Sequence, residues 1–512
     1  MSSTATSLQS KQHASPPSKL NSAVTTEHQE YTGSAEHVER QLGDSELAYF
    51  LPSRESGVND MYLHVGFRAP EHLVASERVR VVWAILRGRH PLLASKVIMR
   101  DYDDISFAYT RRNPSEELAD ADTSLEYYAT TGEEFLELYL NGPRILSCNR
   151  LSHLAILAPR DDPTKQNYEV VICATHFIGD GLSMHQMGNE FFSLLGGTKS
   201  NIELEEDLTE EWRKRASERV ALPDPSETSY PIESKFSQAA GNISFQLHQQ
   251  KQIGGHAFPR RSAPTRHTVT RVASFDIART KAILGTCKSH GVSVSAAMFA
   301  LCNIAWARFN ASREKLPMLM YSALNIRPFL PPAPDSFMLA VGYFNVILPS
   351  FLPKSLDVIS TFWARAKSAK LQSAKAARSP LVVSRSRRTG NQRAKAAQTW
   401  GKEDDEKARG VFKAPPPQIH VKPGPPKTPS AALVGLSLMG NLDGIYRHAN
   451  FPAITLHTQT GGTRQRHGGM LIFSYTFAGK LWITFQYDEN GFEREVVEKF
   501  WKKCLDGVDE FL

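Results

Sequence analysis

Cysteine is scarce in this chain and widely spaced. Five occur in 512 residues, at Cys148, Cys173, Cys287, Cys302 and Cys504, and no two form a Cys-x-x-Cys. An odd, scattered set argues against a disulfide scaffold and a thiolate zinc site, and it predicts reduced thiols and a cytoplasmic location. Long apolar runs are missing too. No stretch approaches the roughly 18 uninterrupted apolar residues of a membrane helix, so no membrane partner is expected. The opening MSSTATSLQSKQHASPPSKLNSAVTTEHQE is rich in Ser and Thr and holds no apolar run. It does not read as a signal peptide, and a disordered tail is expected over 1–37. There is no Gly-x-Ser-x-Gly elbow, no Gly-Lys-Ser/Thr phosphate loop and no His-Glu-x-x-His. Hydrolase, nucleotide-triphosphatase and zinc-protease chemistries lose their main support, and no metal is expected.

What is present suits a globular protein: 41% apolar and 22% charged residues, in a chain long enough for two subdomains. Short β-branched runs at Leu151–Leu157 and Glu169–Thr175 predict strands, and Val79, Val82, Trp83 and Leu86 recur at helical spacing before Pro91. After Gly181, a second helical pattern (Met184, Met187, Phe191, Leu194) runs to Gly196-Gly197. Residues 222–265, rich in Pro, Ser, Gln and Gly, read as a linker. Beyond it the pattern restarts with a strand at Thr268–Phe275, helices at Ile277–His290 and after Ser293, and strands at Met318–Asn325 and Gly342–Phe351. The stretch LIFSYTFAGKLWITFQYD predicts a hairpin turning at Ala478-Gly479. Strands and helices alternate on both sides of the linker, which predicts two α/β subdomains, 38–221 and 266–512, each a mixed sheet flanked by helices.

One constellation carries chemistry. His176 ends an apolar strand, Asp180 lies between two glycines, and an amphipathic helix opens just beyond. The bare His-x-x-x-Asp spacing is weak evidence, since 17 histidines and 21 aspartates would produce about one such pair by chance. The context is stronger: a strand end places a side chain rigidly, and glycines permit a tight turn and close approach. A neutral imidazole can take the proton of an alcohol as it attacks a thioester carbonyl, typically worth ~10²–10⁴ in rate. Asp180 also fits an ordinary turn residue and helix N-cap. Counting by two along the strand puts Cys173 on the face opposite His176, against a Cys–His pair.

Here the sequence resembles the His-x-x-x-Asp-Gly acyltransferase superfamily, which includes chloramphenicol acetyltransferase, plant CoA-dependent acyltransferases and peptide-synthetase condensation domains. It is most similar to fungal alcohol O-acetyltransferases of the trichothecene 15-O-acetyltransferase type, and the likeness runs over about residues 40–510. Gly88-Arg-His-Pro91 resembles the stop after the family's first helix. Asn325-Ile-Arg327-Pro328 resembles its Asn-x-Arg strand end, and Gly342-Tyr-Phe-Asn345 its Tyr-Phe-Gly-Asn segment with the Gly displaced. The plant branch's Asp-Phe-Gly-Trp-Gly is absent; Leu436–Asn441 and the 470–488 hairpin occupy that region.

The resemblance implies a channel between the subdomains with His176 midway along it as general base. It implies a supporting part for Asp180 and Gly181, with Arg327 as the partner of Asp180. Asn345, Ser474 and Thr476 are candidates for contacts with substrate or with the oxyanion. It further implies a monomer with no bound cofactor. Acetyl-CoA or another acyl-CoA would be co-substrate, and a hydroxyl (or amine) of a small secondary metabolite the acceptor. The alternatives are a stand-alone condensation-type enzyme taking its acyl group from a carrier protein to form an ester or amide, and a catalytically silent binding homologue. Between Arg365 and Lys427 sixteen Lys or Arg face four acids, within a net charge of +7 for the whole chain. This segment could steer coenzyme A phosphates or an acidic carrier. The preferred reading is a basic, Pro-rich, solvated insertion at about 384–430, mostly loop. Its aromatics, Trp400 and Phe412, are too few for a nucleic-acid role.

Overall fold

The computed structural model describes residues 37–158, 166–216, 221–309, 316–331, 337–413 and 430–512. Among these, the strands are β1 (His37–Gln41), β2 (Met61–Arg68), β3 (Lys96–Met99), β4 (Ile105–Thr110), β5 (Leu125–Tyr128), β6 (Ser152–Leu157), β7 (Asn167–Ala174), β8 (Thr268–Phe275), β9 (Met318–Asn325), β10 (Val341–Leu348), β11 (Ala432–Asn441), β12 (Thr455–Thr463), β13 (Met470–Phe477) and β14 (Lys480–Asp488). They form a five-stranded sheet β12-β2-β7-β6-β5, a six-stranded sheet β10-β9-β11-β13-β14-β8 and a small antiparallel sheet β1-β4-β3.

Both large sheets are mixed. In the first, β5 and β6 run parallel and every other pair antiparallel; in the second, β11 runs parallel to both β9 and β13. Strand β7 is buried from Val170 to Ala174, as its unbroken apolar run requires of a strand covered on both faces. Its even positions, Val170, Ile172 and Ala174, join the main N-terminal core with Trp83, Phe107 and Phe177. Val171 and Cys173 face a smaller cluster with Tyr62, Phe135 and Tyr139. The second subdomain is built on helix Val294–Phe309, buried from Ala296 to Ala307. Phe362 and Phe511, from the helices Val358–Ala377 and Arg494–Phe511, stack beside it with centroids 4.4 Å apart. The hairpin turns at Ala478 and Gly479, both at positive φ (52° and 71°), as a two-residue turn with left-handed central residues demands. No single helix among the described residues is long and apolar enough to cross a membrane.

This is the two-subdomain α/β architecture expected, with three differences. The linker expected at 222–265 contains a helix, Lys235–Lys251. The stretch expected to be a loop-like insertion at 384–430 begins with a 27-residue helix, Val382–Ala408, packed against helix Asp44–Ser53; residues 414–429 lie outside the described residues. Its arginines are engaged in packing. Arg387 pairs with Glu233 and lies 5.3 Å from the Tyr230 ring, and Arg388 donates to Asn242 and to the Gln238 carbonyl. Finally, β12 lies far beyond the boundary at 266 yet completes the N-terminal sheet, pairing antiparallel with β2 from Thr455↔Arg68 to Thr463↔Met61. The tail expected over 1–37 lies outside the described residues apart from His37, which opens β1.

Candidate active site

Strand β7 stops at Ala174, and a turn closed by the Ile178 amide donating to the Thr175 carbonyl (3.2 Å) carries His176. The imidazole Nδ1 lies 3.0 Å from the Gly179 carbonyl oxygen. A carbonyl can only accept, so Nδ1 carries the hydrogen and Nε2 is left with a free lone pair. Burial pushes the His176 imidazole below its ordinary value. The Gly179 carbonyl and the Asp180 charge oppose that shift, and the Arg393 charge reinforces it. A neutral imidazole with a fixed tautomer and a free Nε2 is the form that accepts a proton.

Asp180 is turned to other work. Only 3% exposed, it caps helix Gly181–Leu195, its Oδ1 accepting from the Leu182 and Ser183 amides at 3.1 Å each. Its Oδ2 accepts from Arg327 Nη1 and from the Ala340 amide, both at 2.9 Å. Arg327 Nη2 donates at 2.7 Å to Ser183 Oγ and at 2.7 Å to the Met338 carbonyl. Four donors leave the carboxylate no capacity for a relay to His176. The arginine follows β9 of the second sheet and the aspartate follows β7 of the first, so this cluster ties the two subdomains together at the turn that holds His176.

The glycines of the motif are set by close approach. A Cβ at Gly179 would collide with the Phe337 ring, and one at Gly181 would meet Met439 Cε at 3.0 Å. Phe337 is held in turn by His90: its amide donates to His90 Nδ1 (3.3 Å), and His90 Nε2 donates to Glu190 (2.7 Å). The Arg-His-Pro segment at 89–91 thus supports Gly179, and through it the carbonyl that orients His176.

The structure brings His176, Asp180, Gly181 and Arg327 together. Asn345 sits on β10 and donates to Gln252 Oε1 at 2.6 Å. Ser474 is buried on β13, across from Leu438 and Ile483, and Thr476 donates to Asn441 Oδ1 at 3.2 Å. Among the described residues none of these three hydrogen-bonds to the His176 group. Cys173 lies in the smaller cluster, where burial pushes its thiol far up, so it is a poor nucleophile.

Three neighbours of the site are not among the candidates read from the sequence. The Tyr49 ring stacks on His176, centroids 4.1 Å apart and planes 21° apart, and its hydroxyl meets that of Tyr343 on β10. Arg393, from helix Val382–Ala408, lies 5.0 Å from the Tyr49 ring centroid and 4.6 Å from that of Tyr343. Tyr343 lies within Gly342-Tyr-Phe-Asn345, a segment from which only Asn345 is singled out. Nothing in the local pattern distinguishes Tyr49 from a core aromatic or Arg393 from its basic neighbours.

No protein-family model and no curated protein sequence matches the chain. Solved structures do match in fold. The TRI3 trichothecene 15-O-acetyltransferase of Fusarium sporotrichioides superposes with a TM-score of 0.70 at 11% identity, over 92% of this chain and 94% of its own. The condensation domain of the monacolin K polyketide synthase MokA gives 0.56 at 11% identity, over 93% and 97%. The first condensation domain of the CDA synthetase gives 0.56 at 11% identity, over 93% and 99%. The chain therefore has the two-subdomain fold shared by these acetyltransferase and condensation-domain structures.

Proposed function

We propose that the protein transfers an acyl group from a thioester to a hydroxyl of a small molecule, with His176 as general base. The observation that carries this reading is the His176 tautomer: Nδ1–H is committed to the Gly179 carbonyl, and Nε2 is free to accept. The acceptor hydroxyl gives its proton to Nε2 as its oxygen bonds to the thioester carbonyl carbon. The resulting oxyanion collapses, the carbon–sulfur bond breaks, and the departing thiolate takes the proton back from Nε2. No acyl-enzyme is needed, in keeping with the inert Cys173. Asp180 and Arg327 hold the turn, and Gly181 lets Met439 close over it. Asn345, Ser474 and Thr476 are the candidates for polar contacts with substrate or with the oxyanion.

Acetyl-CoA is the first donor to test, and a hydroxylated secondary metabolite the first acceptor class. Likeness in fold to condensation domains supports a second reading, in which the donor is an acyl group on a carrier protein and the product an ester or amide. Incubation with acyl-CoAs, or with an acylated carrier protein, plus pooled alcohols and amines separates the two by the donor that releases thiol and yields product by mass spectrometry. His176→Ala should abolish transfer while the protein stays folded. More than a few per cent of wild-type turnover in that variant would remove the general-base assignment, and no transfer from any donor would point to a silent homologue.

A further inference from the structure

Helix Val382–Ala408 lacks the apolar stripe of a core helix, yet it brings Arg393 to the rings beside His176. Its buried positions are mostly small: Ser384, Gly390, Ala394, Ala397 and Gly401, together with Val382. Small residues let it approach helix Asp44–Ser53 closely; a Cβ at Gly390 would lie 3.3 Å from Ser45 Oγ and 3.2 Å from a Glu227 carboxylate oxygen. Between these two helices and β10 the Arg393 guanidinium is set over the Tyr49 and Tyr343 rings. It has no carboxylate within ion-pairing distance among the described residues. Burial works against this cation, and the hydroxyl oxygens of Tyr343 and Tyr49, together with the two ring faces, hold it in place. Its place is one aromatic ring removed from the His176 imidazole.

We propose that Tyr49 and Arg393 are positioning residues for His176, with Tyr49 fixing the plane of the imidazole and the Arg393 charge adding to burial in opposing its protonation. The stack restricts tilt, and the bond to the Gly179 carbonyl restricts rotation about the ring's own axis. A nearby cation disfavours protonation of an imidazole. The groups that bear on His176 are the Asp180 carboxylate on its own turn, already engaged by Arg327, the Tyr49 phenol, which meets that of Tyr343, and Arg393. Of these, Arg393 alone supplies a positive charge that no carboxylate neutralises among the described residues. In the transfer step the same charge favours return of the proton from the imidazolium to the leaving thiolate.

The inference rests on the general-base reading, but its test does not need turnover. Full-length protein carrying 13C-labelled histidine is titrated by NMR, with the His176 resonance assigned from its loss in His176→Gln. In Arg393→Gln the His176 pKa should rise, because the opposing charge is gone, and the acid limb of kcat/KM should move up with it. Arg393→Lys, which keeps the charge, should hold the pKa near that of the wild type. Tyr49→Leu should broaden or shift the His176 ring signals as the stack is lost, whereas Tyr49→Phe should preserve them. An unchanged His176 pKa in Arg393→Gln, or the same rise in Arg393→Lys, overturns the role given to the charge. Unchanged ring signals in Tyr49→Leu overturn the role given to the stack. Failure of the general-base reading would show separately, as transfer surviving His176→Gln.

Discussion

Arg327 reaches Asp180 across 147 positions of chain, its Nη1 2.9 Å from Oδ2 in a cluster that also takes in Ser183, Met338 and Ala340. Removing one partner of a buried pair typically costs ~3–5 kcal/mol, because the other charge is left uncompensated. Asp180→Ala and Arg327→Ala should each lower stability in urea and transfer together. The aspartate change should be the worse, since it also orphans the Leu182, Ser183 and Ala340 amides. In a double-mutant cycle the pair should be less damaged than the sum of the singles; strict additivity would mean that the contact carries no energy.

The pH profile of transfer should have an acid limb. The folded-state value of His176 is lowered by burial, so the imidazole stays neutral further into acid than an ordinary histidine. Transfer should fall only as pH drops through that lowered value, below the usual ~6.5. A chemistry-limited kcat/KM that halves above pH 7 would contradict the assignment.

Gly179→Ala should damage both fold and transfer, because the new methyl runs into the Phe337 ring; overpacking of this kind typically costs ~1–3 kcal/mol. Gly181→Ala meets only the flexible end of Met439 and should be far milder. Phe337→Leu, which shortens the obstacle, should partly restore Gly179→Ala, and thermal melts of the four proteins check the pattern.

Acid should weaken the fold through two other histidines. Burial pushes His153 down to about 4 and His185 down to about 3. Among the described residues His153 has no hydrogen-bond partner on either ring nitrogen, and His185 Nδ1 lies 3.0 Å from the Tyr446 hydroxyl. Both are neutral when folded and charge near ~6.5 when unfolded, so below that pH the unfolded chain binds more protons and stability drops, by roughly 1.4 kcal/mol per pH unit per group. Stability should fall steadily from pH 6.5 towards 4, and His153→Leu should flatten that slope in denaturant titrations.

Excising residues 386–428 should leave an insoluble or unfolded chain. The cut removes a helix that buries one side of Asp44–Ser53 and whose Asp405 accepts from both Arg54 and the Tyr102 hydroxyl. Asp405→Ala alone should loosen its C-terminal end, read as faster amide exchange over 400–408 with the remainder unchanged.

The motif and the elements around it were legible because each announces itself by period. The apolar run of β7 and the Met184, Met187, Phe191 spacing leave little choice, and Ala478-Gly479 marks its own turn. Helices 235–251 and 382–408 were hidden because their contacts are made by small and charged residues: Gly241 meets the Ser384 side chain, and the Arg388 guanidinium donates to Asn242 and to the Gln238 carbonyl where an apolar stripe would pack. No window along the sequence registers such a face. Strand β12, TLHTQTGGT, carries one large aliphatic residue and owes its place to pairing with β2. Tyr49 and Arg393 were illegible for a different reason, since what joins them to His176 is the meeting of two distant helices.

That β12 closes the N-terminal sheet bears on how the protein is made. Strand β2, MYLHVGFR, is ready early, but the strand that covers its outer edge leaves the ribosome only after Thr455 has been added. At about 5–20 residues per second, the apolar edge of β2 waits roughly 20–80 s for its neighbour. An uncovered apolar edge invites pairing with other chains. Until then the nascent N-terminal half carries a sheet edge open to pairing with other chains.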